Sequence, residues 1–429
     1  MNKKRILAIV FFTFLFGFTE GQNINELLDD LSKKYDFSFA ELKTDTFFVQ
    51  KFILNVNQPI DHKSPRKGSF EQRVILSHYN FESPMVFITE GYGAYYATNP
   101  RYVNELSDIL KANQVCVEHR YFGESVPETL EWEYLTISYA ASDHHRIVEI
   151  LKEIYKGKWI NTGISKGGQT AMYHRYFYPE DVDATVAYVC PLNFSIEDKR
   201  VYQFLENVSD SISRSRIFDF QYEMLKNKSL YLPEFKTMVQ DRNLTYPIDL
   251  SLAYELTVLE YSFAYWQWSQ IPIDSIPEQT STALEMVQHL HKVAGIDWIS
   301  NEGIKRLQAF FYQALNEIGF YGYDISPFKG IVSFKKNPVF DFTAPDGMKV
   351  DYNPVPMQRI DQFIRHQASN MIFIYGENDP WSSTAVDLTY NNNLLKIVKP
   401  GGSHSTRLKN LSEKDFNNVM QTLNGWLDH

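Results

Sequence analysis

The chain has 429 residues, of which 44% are hydrophobic, 15% aromatic and 22% charged, with a formal net charge of −10. Such a composition packs a core, so wholesale disorder is excluded; an acidic balance without a basic stripe excludes phosphate-driven nucleic-acid binding. Two cysteines are too few for a disulfide scaffold or a Cys-based zinc module.

The first residues carry an address. Lys3, Lys4 and Arg5 precede an apolar run over 6–18, shorter than the roughly 20 residues that span a bilayer. Small residues Thr19 and Gly21 sit at −3 and −1 if cleavage falls before Gln22. Residues 1–21 read as a signal peptide, which makes the protein secreted or periplasmic, without stable membrane insertion after cleavage.

Beta-rich segments over 46–56 and 70–79 flank the polar turn 62–68, a hairpin pattern. The run MVFIT at 85–89 suits a strand buried on both faces, and it ends in Glu90-Gly91-Tyr92-Gly93. A second such run lies at 114–117. A helical stretch over 137–155 leads to a strand at 159–162, then Gly163-Ile164-Ser165-Lys166-Gly167-Gly168, a helix to 178 and a strand at 185–189. Strands alternating with helices predict a mostly parallel sheet with right-handed crossovers. The rhythm breaks over 197–350, which is helix-favouring and aromatic, and resumes with strands at 371–375 and 394–398. An α/β domain (22–196 and 351–429) interrupted by a helical insertion explains the length.

Gly163-Ile164-Ser165-Lys166-Gly167 matches G-x-S-x-G, with a strand running in and a helix running out, as a nucleophile elbow requires. Serine needs a base, and the base an orienting carboxylate. Asp379 and His404 follow the two late strands, where α/β sites are built. His144 and His145 fall in a helix before the serine, and His289 and His291 in the insertion; each reads as a surface or satisfied core histidine. No HExxH or carboxylate cluster suggests a metal, and no cofactor is expected. The oxyanion donors expected are the backbone N–H of Lys166 and that of Gly91 or Tyr92. Glu90 is unusual beside an oxyanion unless it faces a cation such as a substrate α-ammonium; the bland alternative is a helix cap or an Arg pair.

Ser165-Lys166-Gly167-Gly168, Tyr173-His174-Arg175 and the stretch from Phe177 to Asp183 resemble the secreted bacterial tripeptidyl aminopeptidases. Gln58-Pro59-Ile60-Asp61-His62, Glu118-His119-Arg120-Tyr121-Phe122-Gly123, Glu317-Ile318-Gly319-Phe320 and Asp379-Pro380-Trp381-Ser382 resemble their relatives, the prolyl carboxypeptidase and dipeptidyl peptidase II group. The resemblance implies an α/β-hydrolase fold with a large helical cap, a Ser165–Asp379–His404 triad and exopeptidase action on peptide substrates. It also makes Glu90, Glu317 and Trp381 candidates for substrate binding, the two carboxylates for the α-ammonium. Lys166 departs from the prolyl group, where an aromatic residue usually follows the serine. In such a sheet Cys116 and Cys190 stand three strands apart, about 14 Å at ~4.8 Å per step, beyond the ~7 Å reach of a disulfide. Two free thiols are expected. A carboxypeptidase or esterase with the same triad is the rival enzyme reading, and a peptide- or glycan-binding protein on a relict hydrolase fold the non-enzymatic one.

Overall fold

The computed structural model describes residues 23–268 and 271–428; the expected signal peptide over 1–21 lies outside them. Helix α1 (Ile24–Tyr35) opens the chain. Strands β1 (Phe37–Leu42), β2 (Gln50–Pro59), β3 (Ser69–His78) and β4 (Met85–Thr89) follow. Next come α2 (Glu105–Leu110), β5 (Asn113–Val117), α3 (Ile137–Leu151), β6 (Trp159–Ile164), α4 (Lys166–Phe177) and β7 (Ala184–Tyr188). After the insertion, α11 (Val355–His366), β8 (Met371–Gly376), β9 (Leu395–Lys399) and α12 (Glu413–Leu427) complete the domain.

These nine strands form one sheet in the order β1-β2-β3-β5-β4-β6-β7-β8-β9. The first four in that order pair antiparallel and all later pairs are parallel. This is the α/β-hydrolase arrangement with one extra strand at the antiparallel edge. The two-residue period of β4 shows how the sheet is held. Met85 and Phe87 join a core cluster with α1 and α3, while Val86 and Ile88 join one with α2 and α12. A strand covered on both faces must be apolar throughout, as MVFIT is.

The hairpin forms as its sequence suggests, with Val56 opposite Gln72. The sequence pattern did not disclose α1 and β1. FSFAEL buries only Phe37, so β1 lacks an alternating face and takes its register from β2 alone. The helix expected over 137–155 stops at Leu151. There the Ile154 and Tyr155 N–H groups both turn back to the Leu151 carbonyl, and the Tyr155 hydroxyl meets His78 Nδ1 at 3.0 Å. Cys116 in β5 and Cys190 just past β7 are separated by β4 and β6, and both are free and buried.

The insertion supplies α5 (Arg200–Asn207), α6 (Ser211–Lys226), α7 (Lys228–Asp241), α8 (Leu250–Trp268), α9 (Ala283–Ala294) and α10 (Asn301–Gln313). A helix that is apolar around its whole circumference must be enclosed. Helix α8 is so, with Tyr254, Tyr261 and Phe263 buried, and it packs against α6, α7 and α9. Its core is continuous with Met172, Ala187, Phe373 and Tyr375 of the sheet domain, so the cap sits directly on the hydrolase core. Among the described residues no helix is long and apolar enough to cross a membrane.

Candidate active site

Ser165 stands between β6 and α4 with φ 56° and ψ −121°, a conformation that a non-glycine residue adopts only under constraint. Its N–H is held by the Tyr188 carbonyl at 2.8 Å. Glycine is dictated by proximity around it. A Cβ on Gly163 would stand 2.1 Å from the Gly167 oxygen, and one on Gly168 2.8 Å from Cys190 Cβ. Gly163→Ala should therefore destabilise the protein by about 1–3 kcal/mol through overpacking, read in a denaturation midpoint. An unchanged midpoint would show that the elbow yields at no cost.

The sheet sets the neighbourhood. Ile164, Tyr188, Ile374 and Ile397 share one row across β6 to β9, so Ser165 leaves the same edge as the loops after β8 and β9. Those loops are tied together, since the Asn378 N–H donates to the Gly402 carbonyl at 2.7 Å. In them Asp379, fully buried, takes His404 Nδ1 at 2.7 Å on Oδ2 and the Trp381 N–H at 3.2 Å on Oδ1. The His404 N–H in turn bonds the Gln267 carbonyl of α8 at 2.8 Å, and the Trp268 ring stands edge-on to the imidazole at 5.6 Å. Ile164 and Trp268 remain exposed beside these groups, an apolar rim around a polar centre. Of the histidines expected to be structural, His145 and His289 have partners, whereas both ring nitrogens of the fully buried His144 and Nδ1 of His291 have none among the described residues. His145 and His174 share Asp181, His289 meets the Tyr261 hydroxyl, and His144 packs beside the Phe87 ring.

The loop after β4 lies against the elbow. A Cβ on Gly91 would approach Lys166 Cβ to 2.6 Å and Gly167 N to 2.7 Å, so only glycine fits. Glu118 ties the loop down by accepting the Ala94 N–H at 2.7 Å along with the Glu124 and Ser125 N–H groups. Half-buried Glu90 accepts the Tyr96 hydroxyl. Burial pushes its carboxyl up to about 7, against the pull of Tyr96, the Gly91 N–H and the Lys166 ammonium. Glu317 is buried in a π-helical turn after α10 and takes the Ile137 N–H at 2.6 Å. Burial raises its carboxyl to about 8 while Ile137 and Lys166 oppose the rise.

Trp381 forms part of an aromatic wall with the cap. It is edge-on to Phe263 at 5.2 Å and to Tyr321 at 5.3 Å, and those two rings stack at 3.9 Å. Behind this wall lies a carboxylate that the sequence reading passed over. Glu260 of α8 accepts the Tyr323 hydroxyl at 2.6 Å and the Tyr321 hydroxyl at 3.0 Å. Burial raises it to about 8, with only the two tyrosines opposing. The available signal was an acid in a largely apolar helix; the helix's other acid, Glu255, is by contrast matched by Lys228 at 2.6 Å. Among the described residues no group of His, Cys, Asp and Glu is arranged to hold a metal.

Comparison with known proteins agrees with this architecture. The chain is 32% identical over 366 residues to the prolyl tri/tetrapeptidyl aminopeptidase of Streptomyces mobaraensis, covering 84% of this chain and 76% of that one. It is 23% identical over 423 residues to the lysosomal Pro-X carboxypeptidase of Bos taurus, covering 85% and 84%. Among solved structures, a proline iminopeptidase from Mycobacterium smegmatis aligns over 87% of this chain and 98% of its own, at 11% identity and a TM-score of 0.44. The model of the PS-10 peptidase S37 family matches residues 23–426, from α1 through the cap to α12. The chain belongs to that family and is a serine peptidase on an α/β-hydrolase fold.

Proposed function

We propose that the protein is an exported aminopeptidase that releases short peptides from free N termini through an acyl-enzyme on Ser165. The observation that carries the chemistry is the strained serine elbow on the same sheet edge as the hydrogen-bonded Asp379–His404 pair. Ser165 attacks the scissile carbonyl and His404 takes its proton and returns it to the leaving amine. Asp379 fixes the imidazole tautomer, and N–H groups of Lys166 and the 91–92 loop receive the oxyanion.

Charge around the site favours amino-end over carboxyl-end recognition. The cap and the oxyanion loop present Glu90, Glu260 and Glu317. The cations nearby, Lys166 and Arg407, have donors engaged by backbone carbonyls: Gly91 for the first, His404 and Thr406 for the second. Three carboxylates against two cations, both cations already bonded to backbone, favour an α-ammonium over a peptide carboxylate. The similarity to the Streptomyces mobaraensis enzyme supports the same direction.

A library of free and N-acetylated peptides, read by mass spectrometry, tests this. Free peptides should be shortened from the amino end and acetylated ones spared; equal cleavage of both rejects chain-end recognition. Neutralising the carboxylate that receives the ammonium should lower kcat/KM for free peptides by about two decades, since a removed partner of a buried charge costs about 3–5 kcal/mol. Glu260→Gln and Glu90→Gln are the variants to compare. Hydrolysis of a small amine-free ester should hardly change, and equal loss on both substrates would indicate a damaged site instead. Export is tested by N-terminal sequencing of the protein recovered outside the cytoplasm, expected to begin at Gln22.

A further inference from the structure

The side chain of Lys166 is not at the surface, although a lysine at the start of a helix could easily reach water. It is 4% exposed. Its Nζ donates to the Gly91 carbonyl at 2.7 Å and lies 5.5 Å and 5.0 Å from the Tyr92 and Phe122 ring centres. A buried ammonium is costly unless paired, and this one is directed at a single carbonyl of the loop beside the nucleophile.

Peptide planarity gives that contact a consequence. In a trans peptide the carbonyl and the following N–H point in opposite directions. Holding the Gly91 oxygen toward Nζ therefore turns the Tyr92 N–H away from the buried lysine. Among the described residues no acceptor takes the Tyr92 N–H, whereas the Gly91 N–H lies toward the Glu90 carboxylate. The Tyr92 carbonyl is fixed independently by the His119 N–H at 3.1 Å. The Lys166 N–H, at the first position of α4, has no intrahelical partner. The two groups left to receive an oxyanion are thus the N–H of Lys166 and that of Tyr92, and the lysine side chain sets the second.

We propose that Lys166 is a positioning residue that latches the oxyanion loop through the Gly91 carbonyl. This rests on Ser165 being the nucleophile. The titratable groups around the ammonium are Glu317 from the cap, Glu90 and Tyr92 from the oxyanion loop, His119 after β5 and His144 of α3. Burial keeps both histidines neutral at physiological pH. Burial lowers Lys166 to about 7, with Glu317 and then Glu90 opposing. As pH rises through that value the amine loses its charge, and its hydrogen bond to the Gly91 carbonyl weakens.

The test uses the purified full chain. Lys166→Met should lower kcat by roughly 10- to 100-fold, since loss of an oxyanion donor outright costs about 10²–10³, while KM hardly moves. Affinity for a peptide aldehyde, which forms an oxyanion on the enzyme, should fall by the same factor as kcat/KM; affinity for a product peptide should stay. Lys166→Arg should restore part of kcat. Wild-type kcat in Lys166→Met, or parallel loss of aldehyde and product affinity, would overturn the latch. Fluorophosphonate labelling of the wild type separates the two claims: label absent from Ser165 rejects the nucleophile, label present with either of those results rejects only the latch.

Discussion

Ser165→Ala is expected to abolish hydrolysis, by on the order of 10⁴-fold or more, while the folded protein persists. The side chain is lost from a site whose backbone is held by other groups. The Ser165 N–H bonds the Tyr188 carbonyl, the Gln169 N–H bonds the Ser165 carbonyl, and three glycines fit the turn without any hydroxyl. Alanine meets the same positive φ as serine, so no new strain enters. Far-UV circular dichroism and the denaturation midpoint should match wild type, and a fluorophosphonate that labels wild type at Ser165 should label the variant nowhere. Most of the activity surviving in a folded variant would remove Ser165 from the reaction.

The elbow was legible because its chemistry is compressed into neighbouring residues. Gly163, Ser165 and Gly167 are forced by one turn, and the strand and helix on either side confirm the turn. Asp379 and His404 were legible for a related reason: a parallel sheet delivers its late loops to the same edge as the serine, so chain order alone selects them. What the pattern concealed depends on distant partners. Glu260 is defined by Tyr321 and Tyr323, some sixty residues on. Glu317 gains its meaning from Ile137 and Lys166, far earlier in the chain. Lys166 was visible only as a departure from a related pattern, because nothing local says that its amine folds back onto Gly91. Strand β1 went unread because an edge strand with one buried residue carries no periodic signal.

Asp379→Asn should lower kcat by around 10⁴, by analogy with such triads generally, with KM and fold largely kept. The carboxylate serves two donors with two oxygens, His404 Nδ1–H on Oδ2 and the Trp381 N–H on Oδ1. An asparagine has one oxygen and one NH₂, so only one donor can be satisfied. If the oxygen stays with Trp381, the NH₂ faces Nδ1 and selects the tautomer with hydrogen on Nε2, which cannot accept the serine proton. If the oxygen turns to His404, the Trp381 N–H meets another donor inside a buried site, and the loop that carries the aromatic wall is destabilised. Either arrangement damages turnover more than substrate binding, so the loss belongs in kcat. Asp387 supplies the control. It lies later in the same β8–β9 connection, is half-buried, and is paired with Arg365 at 2.6 Å. Asp387→Asn should leave turnover within a small factor of wild type. A crippled Asp387→Asn beside a mild Asp379→Asn would mean that the histidine takes its orientation from a different carboxylate.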